Sequence, residues 1–229
     1  MGNTNFSMAT FNHIRHDFPQ LVTENVDGSR MYRTPTGEAY PSVTTVLSSY
    51  GKKELMEWRA KVGEEKANKI SKQATTRGTS VHSVIEKYLN NEDVSGVEMM
   101  PNVKSIFHKM RVELDKLQNI HCLEDRLFSH SLRLAGQVDC IAEYNGVLSV
   151  VDFKTANRLK SKDKIGNYFM QGAAYATMFI EMTEIPIEQV VILIGVDSAS
   201  FTQVLKVKPQ DHVDELKSYI AKYNGVMLD

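Results

Sequence analysis

"GQVDCIAEYNGVLSVVDFKTA", residues 136–156, reads as a β-hairpin with one aspartate on each strand and a lysine just beyond the second. Asn145-Gly146 stands between runs rich in Val, Ile and Leu, and Asn-Gly supplies the positive φ that a type I′ turn needs at both central residues. A two-residue turn pairs Tyr144 with Val147. Counting outward sets Asp139 opposite Asp152 and Gln137 opposite Lys154, all on one face. The other face collects Val138, Cys140, Ala142, Tyr144, Val147, Val151 and Phe153, a surface fit for a core. Two carboxylates about 5 Å apart at an effective dielectric near 20 repel by roughly 3 kcal/mol. A shared proton, a basic neighbour or a divalent cation relieves that cost. On spacing alone, a solvated hairpin with Lys154 as counter-ion accounts for the pattern.

The whole chain narrows the choice. At 229 residues and 42% hydrophobic content it is long enough for one large domain with a proper core. The formal net charge of −1 provides no overall basic field, so any nucleic-acid binding needs a local patch. No apolar run reaches membrane-spanning length, and the N-terminus shows neither a signal-peptide core nor an Arg-rich transit pattern. In "MGNTNFS", Phe6 stands where a myristoylation signal wants Ser or Thr. Two cysteines, Cys122 and Cys140, cannot hold a four-thiolate zinc site or an iron–sulfur cluster, and they suit a reducing compartment. There is no Gly-x-x-x-x-Gly-Lys-Ser/Thr loop, hence no nucleotide-driven motor in this chain.

Periodicity predicts helices over about 52–71, 79–90 and 103–119, the last with Val103, Ile106, Phe107, Met110, Leu114 and Leu117 on one stripe. Strands are expected at about 122–129, 133–144 and 147–154, then a helix at 167–182 and strands at 189–197 and 201–208. A final helix starts just after Pro209 and ends near Gly225. Residues 18–42 read as irregular or weakly stranded. The order helix, three strands, helix, strand implies an α/β fold, a mixed central sheet flanked by helices with the acidic hairpin in its middle.

An Asp on one strand and Asp-x-Lys on the next, within that element order, resembles the PD-(D/E)XK nuclease superfamily, and its RecB-like branch most of all. "GTSVHSVIEKYL" looks like the branch's helical histidine motif. "GQVD" and "VVDFKTA" look like its paired metal-site motifs, and "QGAAY" looks like its Gln-x-x-x-Tyr helix. Upstream, "PSVTTVL" is similar to a segment of the branch's mitochondrial and phage exonucleases. The Pro-Asp of the superfamily name is absent, since Val138 precedes Asp139. The resemblance implies a restriction-endonuclease-like αβββαβ core and a single nuclease domain over 1–229. Within it, about 41–120 would be mainly helical, 121–208 the catalytic sheet core and 209–229 the C-terminal helix.

The resemblance also implies roles. Asp139 and Asp152 supply hard oxygen ligands for one or two Mg²⁺ or Mn²⁺ ions, the Phe153 carbonyl adds a third, and Lys154 orients or deprotonates water or stabilises the phosphate. His82 completes the metal shell and leans it toward Mn²⁺. Glu86, one turn on from His82, is a candidate for a second ion or a bridging water. Gln171 joins the catalytic group, and Tyr175 shares its helix face at i+4. Glu124, on the preceding strand, is read as structural.

Candidate DNA contacts are Ser42, Thr44, Arg77, Gly78, Thr79, Tyr175, Arg158 and Lys160. Arg77 and Gly78 are expected to precede the histidine helix, whose N-terminus would then bind phosphate. Lys61, Lys66, Lys69 and Lys72 are expected on helices arching over the site. Trp58 is either core or a base-stacking platform. The implied activity is metal-dependent exonucleolysis of single-stranded DNA ends by a monomer in a bacterial or phage-infected cytoplasm, with replication or recombination proteins as partners and no membrane. A flap endonuclease with the same site, or a DNA-binding accessory subunit with little activity, are the alternatives.

Overall fold

A computed structural model describes residues 9–225; Phe6 and the last four residues of the expected C-terminal segment lie outside them. The chain opens with a segment whose His13 bridges Ile120 in parallel. An antiparallel meander follows: β1 (Val22–Val26), β2 (Ser29–Arg33) and β3 (Ala39–Pro41). Sequence periodicity was too weak there to show three strands. Next come α1 (Val43–Ser48), α2 (Lys52–Val62), α3 (Glu64–Leu89) and α4 (Pro101–Leu114).

Two helix boundaries differ from expectation. Gly63, at φ 86°, ends α2, and α3 then runs unbroken for 26 residues through Gly78. His82 therefore sits deep inside a long helix, not in a first turn. The backbone N–H groups of Arg77, Gly78 and Thr79 belong to that helix, so no helix N-terminus is present there to take a phosphate. Pro101 starts α4 in the first turn, where its missing N–H costs nothing. That helix stops at Leu114, and Leu117, which continues its apolar stripe, begins a strand instead.

The central sheet has the order β10-β9-β8-β7-β4, from β4 (Leu117–Leu123), β7 (Cys140–Tyr144), β8 (Val147–Ala156), β9 (Gln189–Val196) and β10 (Thr202–Val207). β5 (Arg126–Ser129) and β6 (Leu134–Gln137) form a two-stranded sheet of their own. α5 (Gly166–Thr183) carries the chain from β8 to β9, which pair in parallel, and α6 (Val213–Tyr223) follows a 3-10 turn at Pro209–His212. Both sheet faces are covered. One packs Ile141, Val150, Ile192 and Ile194 against α1, α5 and α6. The other packs Cys140, Val151, Phe153 and Leu193 against α3 and α4. No helix among the described residues is long and apolar enough to cross a membrane.

One kink positions the site. The hairpin register runs as the Asn-Gly turn requires from Tyr144↔Val147 to Cys140↔Val151, and both turn residues have positive φ. Beyond Cys140 the chain bends away from β8 and becomes β6, paired with β5. Gln137 consequently faces Arg126 and gives its side-chain N–H to Glu124, instead of facing Lys154. Val138 packs into the α5 side of the core, opposite to the Cys140 face on which alternation placed it.

Candidate active site

The bend at Val138-Asp139 leaves the β7-facing edge of β8 open beyond Val151. A buried N–H or C=O at such an opening needs another partner, and the site is built from those partners. Phe153 donates its N–H to Asp139 Oδ2 at 2.8 Å. His82, from α3, brings Nε2 to 2.8 Å from the Phe153 carbonyl oxygen, while its Nδ1 lies 3.7 Å from Asp139 Oδ1. Asp139 thus reaches Asp152's strand from the position just beyond the last β7–β8 pair.

Asp152 faces the α5 side of the sheet and is only 2% exposed. Its Oδ1 accepts from Lys154 Nζ at 2.6 Å, and its Oδ2 is buried with no hydrogen-bond partner. Burial, reinforced by the charge of Asp139 and opposed by Lys154, pushes its carboxyl up to about 6. For Lys154, burial pulls downward, but the charges of Asp152 and Asp139 outweigh it and hold the ammonium above its ordinary value. Lys154 is therefore a cation at neutral pH, stacked 5.1 Å from the Tyr168 ring. A lone buried carboxylate oxygen is costly unless charge meets it.

Glu124 belongs to this cluster. The register is the same on both sides of the kink, at Leu123↔Cys140 and Arg126↔Gln137, so Glu124 stands opposite Asp139 and donates its N–H to the Asp139 carbonyl at 3.1 Å. Its φ of 57° is left-handed, a conformation disfavoured for a long side chain and often found at functional sites. Ligand atoms of His82, Glu124 and Asp139 lie within 4.8 Å of one another. Burial, and then the charge of Asp139, push the Glu124 carboxyl up to about 7. Sequence reading set Glu124 aside as structural. The signal was present: Glu124-Asp125 interrupts an apolar strand directly across from Asp139.

The donor set suits a hard divalent cation, with carboxylate and carbonyl oxygens and one imidazole nitrogen. Neighbouring ligands of an ion bound at about 2.1 Å stand about 3 Å apart, close to the His82–Phe153 separation. A cation held nearby would meet the partnerless Asp152 Oδ2.

The other expected residues divide. Glu86 is exposed but lines the same shallow cleft, with Gly78, Thr79, His82 and Glu124. Gln171 and Tyr175 come from α5 and are buried; Tyr175 feels the charges of both aspartates, and burial raises its hydroxyl well above the usual value. Being 3% exposed, Tyr175 backs the site and cannot touch a DNA strand. Its hydroxyl end also explains Gly136, where a Cβ would come within 2.8 Å of it. Ser42 is likewise buried and spends its hydroxyl capping α1, accepting from Thr45 N–H at 3.0 Å, so it is not free for phosphate. Thr44 is exposed beside it. Arg77 reaches Thr155 and Asn157 at the end of β8. Arg158 and Lys160 are exposed on the loop that follows, fixed by Gln203 against the Lys160 backbone. Trp58 is half-buried on α2, a helix with no buried residue.

The model of the PD-(D/E)XK nuclease superfamily matches residues 98–224, more than half of the chain. The chain belongs to this superfamily. The mixed five-stranded sheet flanked by helices is the restriction-endonuclease-like fold expected of a PD-(D/E)XK protein. The chain is also similar to mitochondrial genome maintenance exonuclease 1 from Mus musculus, 29% identical over 132 residues, and from Homo sapiens, 26% identical over 129 residues. Each match covers 52% of this chain and only 38% of the relative. His82, on α3, lies outside the residues matched by the superfamily model.

Proposed function

We propose that this PD-(D/E)XK protein is a metal-dependent deoxyribonuclease that removes nucleotides from single-stranded DNA ends. The observation that carries the reading is the cluster of His82, Glu124 and Asp139, with ligand atoms within 4.8 Å of one another. Beside it, Asp152 feels the charges of Asp139 and His82 and keeps a buried oxygen without a partner, with Lys154 against it.

Asp139, Asp152, the Phe153 carbonyl and His82 would hold Mg²⁺ or Mn²⁺, with Glu124 and Glu86 available on the open side. When bound, the ion activates water and screens charge on the phosphate. Lys154, kept cationic by the aspartates, donates to a phosphate oxygen as negative charge builds there. Gln171 and Tyr175 support the aspartates and the lysine from behind. The exonuclease relatives favour attack at ends, and a single strand reaches the centre without the unstacking that a duplex end requires, about 1.4 kcal/mol per step.

Digestion of linear and circular single-stranded DNA with Mg²⁺ or Mn²⁺ tests the reading. Linear strands should be degraded and circles spared. Cutting of circles would favour a flap or structure-specific endonuclease with the same site.

A further inference from the structure

Two clefts follow one another along α3. The first, about 390 Å³, is lined by Gly78, Thr79, His82, Glu86 and Glu124 and opens onto the candidate centre. The second, about 500 Å³, begins one turn earlier and is lined by Lys72, Thr76, Arg77, Met100, Asn157 and Asp197. The charge changes sign between them, from carboxylates around the centre to two cations beyond it, with Asp197 the one acid. Gly78 sits at the junction, where an added Cβ would meet only Thr155 Oγ1, at 3.9 Å. Thr155, next to Phe153 on the α3-facing side of β8, meets both Gly78 and Arg77, so the second cleft continues directly from the first along that face.

The cations there are positioned but unsatisfied. Arg77 is braced by Nε on Thr155 Oγ1 at 3.4 Å and by Nη1 on Asn157 Oδ1. Its Nη2 has no hydrogen-bond partner among the described residues, and neither Arg77 nor Lys72 pairs with a carboxylate there. Such a fork, held at one side and open at the other, suits a phosphate. Met100 adds an apolar wall that is 59% exposed, and a flexible thioether accepts any base face. Ten helical residues separate Lys72 from His82, about 15 Å, or about four stacked nucleotides at 3.4 Å each.

We propose, on the strength of the nuclease reading above, that this second cleft is a subsite for the single strand about two to four nucleotides from the scissile phosphate. Lys72 and Arg77 clamp one phosphate, and Met100 receives a base without regard to its identity.

Binding of fluorescent oligothymidylates, about two to ten nucleotides long, by the full chain with Ca²⁺ tests this, alongside steady-state cleavage in Mn²⁺. Affinity should rise with length to about five nucleotides and then level off. In Lys72→Glu and in Arg77→Met that rise should disappear, and KM for the longest strand should increase about tenfold with kcat reduced less than threefold. Lys72 is exposed and has no partner among the described residues, so its variant folds even if Arg77→Met does not. Native length dependence in Lys72→Glu would overturn the subsite, as would a native protein that cleaves DNA with no length dependence. A native protein that cleaves no DNA would overturn the nuclease reading itself.

Discussion

His82 Nε2 stands 2.8 Å from the Phe153 carbonyl oxygen, across 71 residues of sequence. A helix and a strand are thereby joined at the one point where β8 has lost its antiparallel neighbour. The same contact sets an imidazole nitrogen among carboxylate and carbonyl oxygens.

Replacing His82 by Ala should therefore weaken Mn²⁺ binding by about tenfold or more, and cut cleavage more deeply in Mn²⁺ than in Mg²⁺. Cleavage rates across titrations of each metal measure this. Equal losses in both metals would return His82 to a purely structural role.

Two carboxyls are raised by the fold, Asp152 to about 6 and Glu124 to about 7. Both hold their protons more tightly folded than unfolded, so the metal-free protein carries extra bound protons between about pH 4 and 7 and loses stability as pH rises through that window. Melting in EDTA should show Tm falling by roughly 5 °C from pH 5 to 7.5. Glu124→Gln and Asp152→Asn should each flatten the fall, and Mn²⁺ should reverse it. A Tm that climbs over this range in EDTA would contradict the assigned cause.

Much of this site was legible in sequence, and the limits are physical. Asn145-Gly146 dictates the register locally as far as Cys140↔Val151. The facing of Asp139 and Asp152 expected from counting gives way at the bend, where Asp139 stands opposite Glu124 and reaches β8 through the Phe153 N–H. Lys154, two residues on from Asp152, came with the alternation. The bend at Val138-Asp139 was hidden because Gln137 and Val138 alternate as a straight strand would. Its cause lies in a tertiary partner, β5, that captures β6. Glu124 was read as structural because its aim depends on a left-handed backbone and on the register across the bend, although Glu124-Asp125 does interrupt the apolar pattern. In α3, the stretch between the helices expected at 52–71 and 79–90 read as a break ending at Arg77-Gly78, yet burial of Val81, Val84 and Ile85 on one side and Ala67 on the other carries the helix through.

Gly172, within the Gln-Gly-Ala-Ala-Tyr run, is fixed by packing. A Cβ there would collide with the Val190 side chain of β9, so α5 could not lie as close to the sheet. Gly172→Ala should destabilise the protein by about 1–3 kcal/mol and lower Tm by a few degrees, roughly 3–10 °C, measured by calorimetry. An unchanged Tm would show that α5 shifts freely.

Linear single-stranded DNA should be degraded at least about tenfold faster than blunt duplex, because unstacking a duplex end costs about 1.4 kcal/mol per step. Activity should fall steeply as salt rises, as phosphate contacts require. Comparable rates on blunt duplex, with no helicase present, would point instead to a duplex-resecting nuclease.

The most direct test is cleavage of an end-labelled linear single strand in Mn²⁺ by the native chain, Asp139→Ala and Asp152→Ala, each checked for folding by circular dichroism. Both variants should remain folded and lose at least about a thousandfold in rate, the scale of removing essential groups from a metal-assisted hydrolysis. Near-native cleavage by either one would contradict a metal held between the two aspartates.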